Sequence, residues 1–296
     1  MWRIIDIGGD DLFLHTERDS LVAVRDSKEQ SRVHFSDIHS IICHSYGAVY
    51  SDKMFKKCLE FNIPLIICDD KHTPQGMLLP FMQHTDAGKR FKLQLNATVP
   101  QKKRAWKMII EEKLRNQAKL LEAVELPFDK IKQLSKHVLS GDSDNKEAQG
   151  ARIYFQSLFG KDFLRTSDNE INALLNYAYT VLRSCVARAV IGAGLHPSLG
   201  LHHSANHNPY CLVDDLMEPF RPFADGIVLD IIKNYDDITI CPQIKKDIIH
   251  MSKMSIHYQR ENLEFTTAMQ YYTQNFFRYL EGGEMKFPKF DYDFAL

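Results

Sequence analysis

Residues 192–226, GAGLHPSLGLHHSANHNPYCLVDDLMEPFRPFADG, gather His196, His202, His203 and His207 near Asp214, Asp215, Glu218 and Asp225, with Arg221 among them. Imidazole and carboxylate mixed in one short window form the donor set of a borderline-hard divalent cation. Gly200-Leu201 leads into a polar loop, Ser204 to Pro209. Leu212 to Phe220 then reads as a short helix closed by Pro222. On such a helix Asp215 and Glu218 are three residues apart and share a face. The plainer reading is a polar loop capping an ordinary helix, with Asp214 or Asp215 as the N-cap carboxylate. Spacing alone leaves both open.

The wording of the window carries a resemblance. GLHPSLGLHH followed by NPYCLVDDLMEPFRP resembles the signature of the CRISPR-associated adaptation integrases, metal-dependent DNase/integrase subunits that insert new spacers into a CRISPR array. DDLMEPFRP is similar to members that accompany single-protein RNA-guided effector nucleases. Upstream, KEAQGARIYF resembles the family's ExxxARxYF motif and singles out Glu147. Without the resemblance, a Glu in a helix's first turn is an ordinary dipole-favoured residue. The resemblance implies that Glu147, His203 and Glu218 are catalytic metal ligands for Mg²⁺ or Mn²⁺. Asp215 matches a further acidic position of the family and is read as supporting the site beside Glu218 or binding a second ion; His202, in support or facing DNA, and Arg221 are also read as supporting residues. His196 and His207 are read as structural.

Such a triad suits phosphate chemistry. A phosphodiester is anionic, and a cation that neutralises its developing charge also orients the attacking oxygen. Two carboxylates and an imidazole suit Mg²⁺ or Mn²⁺ and leave positions for water and phosphate. The attacker is a DNA 3′-hydroxyl in an integrase and water in a nuclease. The triad serves both, so only the resemblance separates them. Two rival functions stay open: a metal-dependent phosphoesterase on a small substrate, and a non-catalytic DNA-binding module.

Composition bounds the rest. The chain has 296 residues, 44% hydrophobic and 25% charged, and a formal net charge of −1. It is long enough for one large domain or two ordinary ones. No global positive field advertises a polyanion partner, so nucleic-acid contact must be local. The six cysteines (43, 58, 68, 185, 211, 241) form no CxxC pair. That argues against a zinc ribbon or disulfide framework and suits a reducing cytoplasm. MWRIIDIGGDD lacks a signal peptide's basic start and apolar core, and no apolar run approaches the roughly 20 residues of a membrane span.

The elements that must position the window follow an α+β plan, a β-rich N-terminal domain followed by a larger all-α catalytic domain. Residues 1–85 read as strands and turns. Trp2 to Ile7, Asp11 to His15, Leu21 to Arg25 and Arg32 to Phe35 suggest an antiparallel meander. Ile38 to His44 is a more buried strand, Ala48 to Phe61 a helix with Ser51 as its cap, and Pro64 to Cys68 a strand. His34, His39 and His44 are read as structural. The resemblance implies that this domain dimerises.

Residues 86–104 read as a basic linker. Residues 80–119 hold ten basic residues (Lys89, Arg90, Lys92, Lys102, Lys103, Arg104, Lys107, Lys113, Arg115, Lys119) against three acidic ones. That excess is either a phosphate footprint, with Lys89, Arg90, Lys102, Lys103 and Arg104 on DNA, or a solvated helix with Glu-Lys pairs. From 105 to 285 the pattern is helical. Helices are expected after Pro100, over 128–139, over 146–159 capped by Asp144, over 172–194, and over 226–235, 244–254 and 265–279. In the second, Ala148, Ala151, Tyr154, Phe155 and Leu158 would be the buried side. Residues 286–296 read as an extended tail. Arg152, Arg188 and Arg221 are read as phosphate contacts or as buried ion-pair partners. The resemblance implies as partners double-stranded DNA, a second copy, a small ferredoxin-like adaptation subunit bridging two dimers, an RNA-guided effector nuclease and an accessory adaptation protein.

Overall fold

The computed structural model describes residues 3–45, 47–69, 74–80, 84–204 and 208–289. His207 and the tail residues 290–296 lie outside these. The N-terminal strands are β1 (Arg3–Ile7), β2 (Phe13–Glu17), β3 (Ser20–Arg25), β4 (Lys28–His34), β5 (Ile38–Cys43) and β6 (Val49–Tyr50). After them come α1 (Asp52–Glu60), β7 (Leu65–Cys68) and β8 (Pro74–Leu78). Three of the four runs expected to form a meander do so, as the antiparallel β2-β3-β4 with β6 added parallel to β2; the first run, β1, does not join them. A second sheet runs β1-β5-β7-β8, and its first three strands are parallel. Fully buried strands of a parallel sheet read as continuous apolar runs, and every residue of β5 is buried.

This second sheet joins the two halves of the fold. Ile38, Ile41 and Cys43 pack with Leu14, Phe35, Met54 and Leu65 in the N-terminal core. Ile4, Ile42 and Ile66 instead join the helical core. Ser51 caps α1 by accepting from the Met54 amide. The helix starts at Asp52 rather than Ala48, because residues 49–50 pair with β2.

The helical half comprises α2 (Ala87–Asn96), α3 (Val99–Ala123), α4 (Asp129–Lys136), α5 (Lys146–Phe159), α6 (Glu170–Gly192), α7 (Cys211–Met217), α8 (Arg221–Asn234) and α9 (Pro242–His250). A hairpin of β9 (Ser255–Tyr258) and β10 (Glu261–Glu264) precedes α10 (Phe265–Leu280). It was not expected within a helical stretch. Residues 86–104 are taken up by α2 and the first turns of α3. The central α6 buries residues on all sides, from Leu174 to Val190, as a bundle's core helix does. No described helix is long and apolar enough to cross a membrane.

Three local expectations change. Pro222 does not close the helix after Phe220: it sits in the first turn of α8, where its missing N–H costs nothing. A 3₁₀ turn, Glu218–Phe220, links α7 to α8. The cap of α5 is Asn145, whose Oδ1 accepts the Ala148 amide, and not Asp144, whose carboxylate pairs with Lys146. On α5, Ala148 is exposed, while Gly150 and Tyr154 are the buried residues.

Candidate active site

Glu147 sits in the first turn of α5. Its backbone is pinned by Asp142, whose two carboxylate oxygens accept the Lys146 amide (2.8 Å) and the Glu147 amide (3.0 Å). Carboxylates at a helix N-terminus are favoured by the dipole, and the paired capping fixes where Glu147 departs from the chain.

Glu218 opens the 3₁₀ turn and is buried. Pro219 interrupts the helix here, since it removes the N–H that would continue α7 and crowds an earlier carbonyl. Asn116 of α3 locks it by donating to Pro219 O at 2.9 Å. One turn earlier on α3 stands Lys113. Its Nζ is 2.7 Å from Glu147 Oε1 and 2.5 Å from Glu218 Oε2. Arg221 Nε donates to the other oxygen, Glu218 Oε1, at 2.8 Å. Burial pushes the Glu218 carboxyl up, but Arg221 and Lys113 outweigh it and hold its pKa down at about 2. Burial likewise opposes charge on Lys113, and Glu218 and Glu147 more than offset it.

His203 is positioned by Asp215, which is fully buried on α7. Asp215 Oδ2 accepts the amides of Leu201 (2.5 Å) and His202 (3.1 Å); Oδ1 accepts the His203 amide (3.2 Å) and His203 Nδ1 (2.6 Å). A carboxylate only accepts, so Nδ1 carries the proton and Nε2 is left as the basic nitrogen. The same hydrogen bond raises the His203 pKa against the effect of burial. Gly200 makes the wrap possible: a Cβ there would strike His203 O, and would lie 2.8 Å from Cys211 Cβ and 2.9 Å from Asp215 Oδ2. Trp106 of α3 stacks on His202 (4.3 Å, 2° between planes) and meets His203 edge-on at 5.7 Å.

Behind Glu218 lies a second polar layer. Arg221 covers the Tyr179 ring at 4.5 Å, and Tyr179 and Tyr154 both donate to Asp225 (2.6 and 2.8 Å). Burial lifts the Asp225 pKa to about 6 against those two hydrogen bonds. Asp214 pairs with Arg183 (2.7 Å) and accepts from Asn208 (2.8 Å). Neither Asp214 nor Asp215 therefore caps α7.

Among the described residues no three His, Cys, Asp or Glu groups are drawn together as an ion-holding cluster. The donor set nevertheless fits a cation. Glu147 and Glu218 converge on one positive atom, and among the described residues the buried Glu218 Oε2 has no well-aligned hydrogen-bond donor. A histidine whose second nitrogen donates to a carboxylate is the usual form of a metal-ligating imidazole. The remaining candidates sit apart from this centre. His196 hydrogen-bonds Ser198, and Arg188 donates to Ile38 O (2.7 Å) and His39 O, tying α6 to β5. Arg90 donates to Ala193 O (2.6 Å) and covers Phe277. Lys89, Lys103 and Arg104 are exposed, and Lys102 is half-buried. Lys113 and Trp106 lay inside the basic stretch and its apolar stripe, where nothing marked them for this site.

A family model described as "CRISPR associated protein Cas1" matches residues 7–239. The chain belongs to the Cas1 family. It is 35% identical to the CRISPR-associated endonuclease Cas1 of Neisseria meningitidis serogroup C (strain 8013), over 93% of this chain and 91% of the relative. Among solved structures, a casposase bound to integration product shares the fold with a TM-score of 0.81, at 18% identity, covering 99% of this chain and 94% of that one. A chain of a Cas6-RT-Cas1–Cas2 complex matches with a TM-score of 0.74, at 17% identity, over 94% of this chain and 35% of that longer one. The match to the Cas1 family model spans Lys113, Glu147, His203 and Glu218.

Proposed function

We propose that this Cas1 family member is a metal-dependent DNA endonuclease and integrase that inserts short fragments, as new spacers, into a CRISPR array. The observation that carries it is the convergence of Glu147 and Glu218 on one cation beside a histidine oriented by Asp215. Relatives named as Cas1 endonucleases agree with it. Mg²⁺ or Mn²⁺, held by Glu147, His203 Nε2 and Glu218, would neutralise charge on the scissile phosphate and favour deprotonation of the attacking 3′-hydroxyl.

The chain's own groups prepare that site. Asp215 keeps the proton on Nδ1 and so keeps Nε2 available. Arg221 engages one oxygen of Glu218 and leaves the other facing inward. Asp142 fixes Glu147 through its backbone. Lys89, Lys102, Lys103 and Arg104, along α2 and the start of α3, are the DNA-backbone contacts of this reading. Arg90 is engaged within the protein and is not counted among them. Phe13 and Val49, paired across β2 and β6 and 43% and 60% exposed, support an N-terminal face that meets a second copy. A small Cas2-type subunit, of the kind named in the neighbouring complex, would then bridge two dimers.

The test is a strand-transfer assay on a branched half-integration substrate and supercoiled DNA, with Mn²⁺, Mg²⁺ or EDTA and with the Cas2-type partner present. Metal-dependent joining abolished by Glu147→Ala and by His203→Ala is expected. Joining that survives both substitutions overturns the assignment.

A further inference from the structure

Lys113 has no place in the reading above, yet it is the group nearest to both carboxylates. It is 6% exposed, in the middle of α3, and its ammonium lies 2.7 Å from Glu147 Oε1 and 2.5 Å from Glu218 Oε2. Burying the Glu218 carboxylate beside the half-buried Glu147 is costly unless a positive charge lies between them. Arg221 answers only one oxygen of Glu218. Among the described residues, the charge that spans α5 and the 3₁₀ turn therefore comes from α3. Glu218 Oε2 is buried with the ammonium 2.5 Å away. A divalent ion in the same place would supply positive charge to the same two oxygens.

We propose that Lys113 is an internal counter-cation that holds Glu147 and Glu218 in register while no metal is bound, and that a divalent ion must displace its ammonium to bind. This rests on the metal-centre reading above. Lys113 is thus a positioning residue acting through the two glutamates. It keeps the site assembled without metal and competes with metal for the same two oxygens. Both effects come from one charge, so removing that charge must move them in opposite directions.

The experiment titrates Mn²⁺ into wild type, Lys113→Met, Lys113→Arg and His203→Ala, with free Mn²⁺ followed by electron paramagnetic resonance and Tm measured in EDTA and in excess Mn²⁺. Lys113→Met is expected to bind Mn²⁺ more tightly than wild type by at least about tenfold, the smallest change expected when a buried charge pair no longer competes. In EDTA its Tm is expected to fall, and Mn²⁺ is expected to restore it. Lys113→Arg, which keeps the charge, is expected to show neither gain in affinity nor rescue. Should Lys113→Met fail to fold in EDTA, folding on addition of Mn²⁺ supports the proposal, and failure in both conditions overturns it. Unchanged or weaker Mn²⁺ binding by Lys113→Met, with binding lost in His203→Ala, overturns this inference alone. Equal binding by wild type and His203→Ala removes the metal-centre reading and this inference with it.

Discussion

Asp215→Asn separates a carboxylate that binds metal from one that builds the histidine. Asp215 accepts four hydrogen bonds, three from backbone amides and one from His203 Nδ1, and is wholly buried. Asparagine keeps one accepting oxygen. If it serves Leu201 and His202, the NH₂ group faces two donors on His203. At least two charge-assisted hydrogen bonds are then lost, a cost of about 3–6 kcal/mol at the usual value per bond. The imidazole can escape the clash by moving its proton to Nε2, so that Nδ1 accepts. That tautomer points a proton at the position meant for the ion. Loss of a histidine's orienting partner typically lowers metal affinity by about 10- to 100-fold. Urea denaturation reads the first effect and Mn²⁺ titration the second. A variant with wild-type stability and Mn²⁺ affinity within about twofold would refute the reasoning; a variant that loses affinity without losing stability would make Asp215 a direct ligand instead.

Gly200→Ala should lower stability by roughly 1–3 kcal/mol, an overpacking cost, and weaken Mn²⁺ binding, because the new Cβ meets His203 O and Asp215 Oδ2. Paired denaturation and titration check both. Asp225, whose pKa is raised to about 6, binds its proton more tightly folded than unfolded. Its contribution to stability is full below its ordinary value near 4 and is lost as pH rises to about 6. Asp225→Asn should therefore gain on wild type by up to roughly 3 kcal/mol between pH 4 and pH 7; a difference that does not change across that window refutes the shift. Arg188→Met removes the guanidinium that donates to the carbonyls of Ile38 and His39. It should cost roughly 2–4 kcal/mol while the salt dependence of DNA binding stays at its wild-type slope; a shallower slope would return Arg188 to the phosphate contacts.

Where local chemistry specified an element, the sequence was legible. The run Lys146 to Phe159 forms α5 with the expected bounds, although its cap is Asn145 and not Asp144. Ser51 caps α1 as its type and position suggest. The motif window folds into one loop-helix unit because Asp215 collects the amides of residues 201–203. What escaped were pairings between distant segments. Short apolar strands carry no mark of direction, so the parallel β1-β5-β7 core was not readable beside the meander. The β9-β10 hairpin turns at Gln259 with φ 59°, a left-handed conformation without the glycine or asparagine that would announce it. Pro222 was read as a stop because a proline just inside a helix start and one just past a helix end look alike until the cap is seen. Lys113 counted as one charge in a basic stretch. Its partner Glu147 is 34 residues away, and a buried ion pair at that separation leaves no periodic trace.

The central claim is that Glu147, His203 and Glu218 share one divalent cation. Anomalous diffraction from crystals grown with Mn²⁺ tests it most directly. One anomalous peak is expected, bounded by a carboxylate oxygen of Glu147, Nε2 of His203 and Oε2 of Glu218, and absent in His203→Ala. A peak elsewhere, or none while Lys113 still bridges the two glutamates at saturating Mn²⁺, would contradict it.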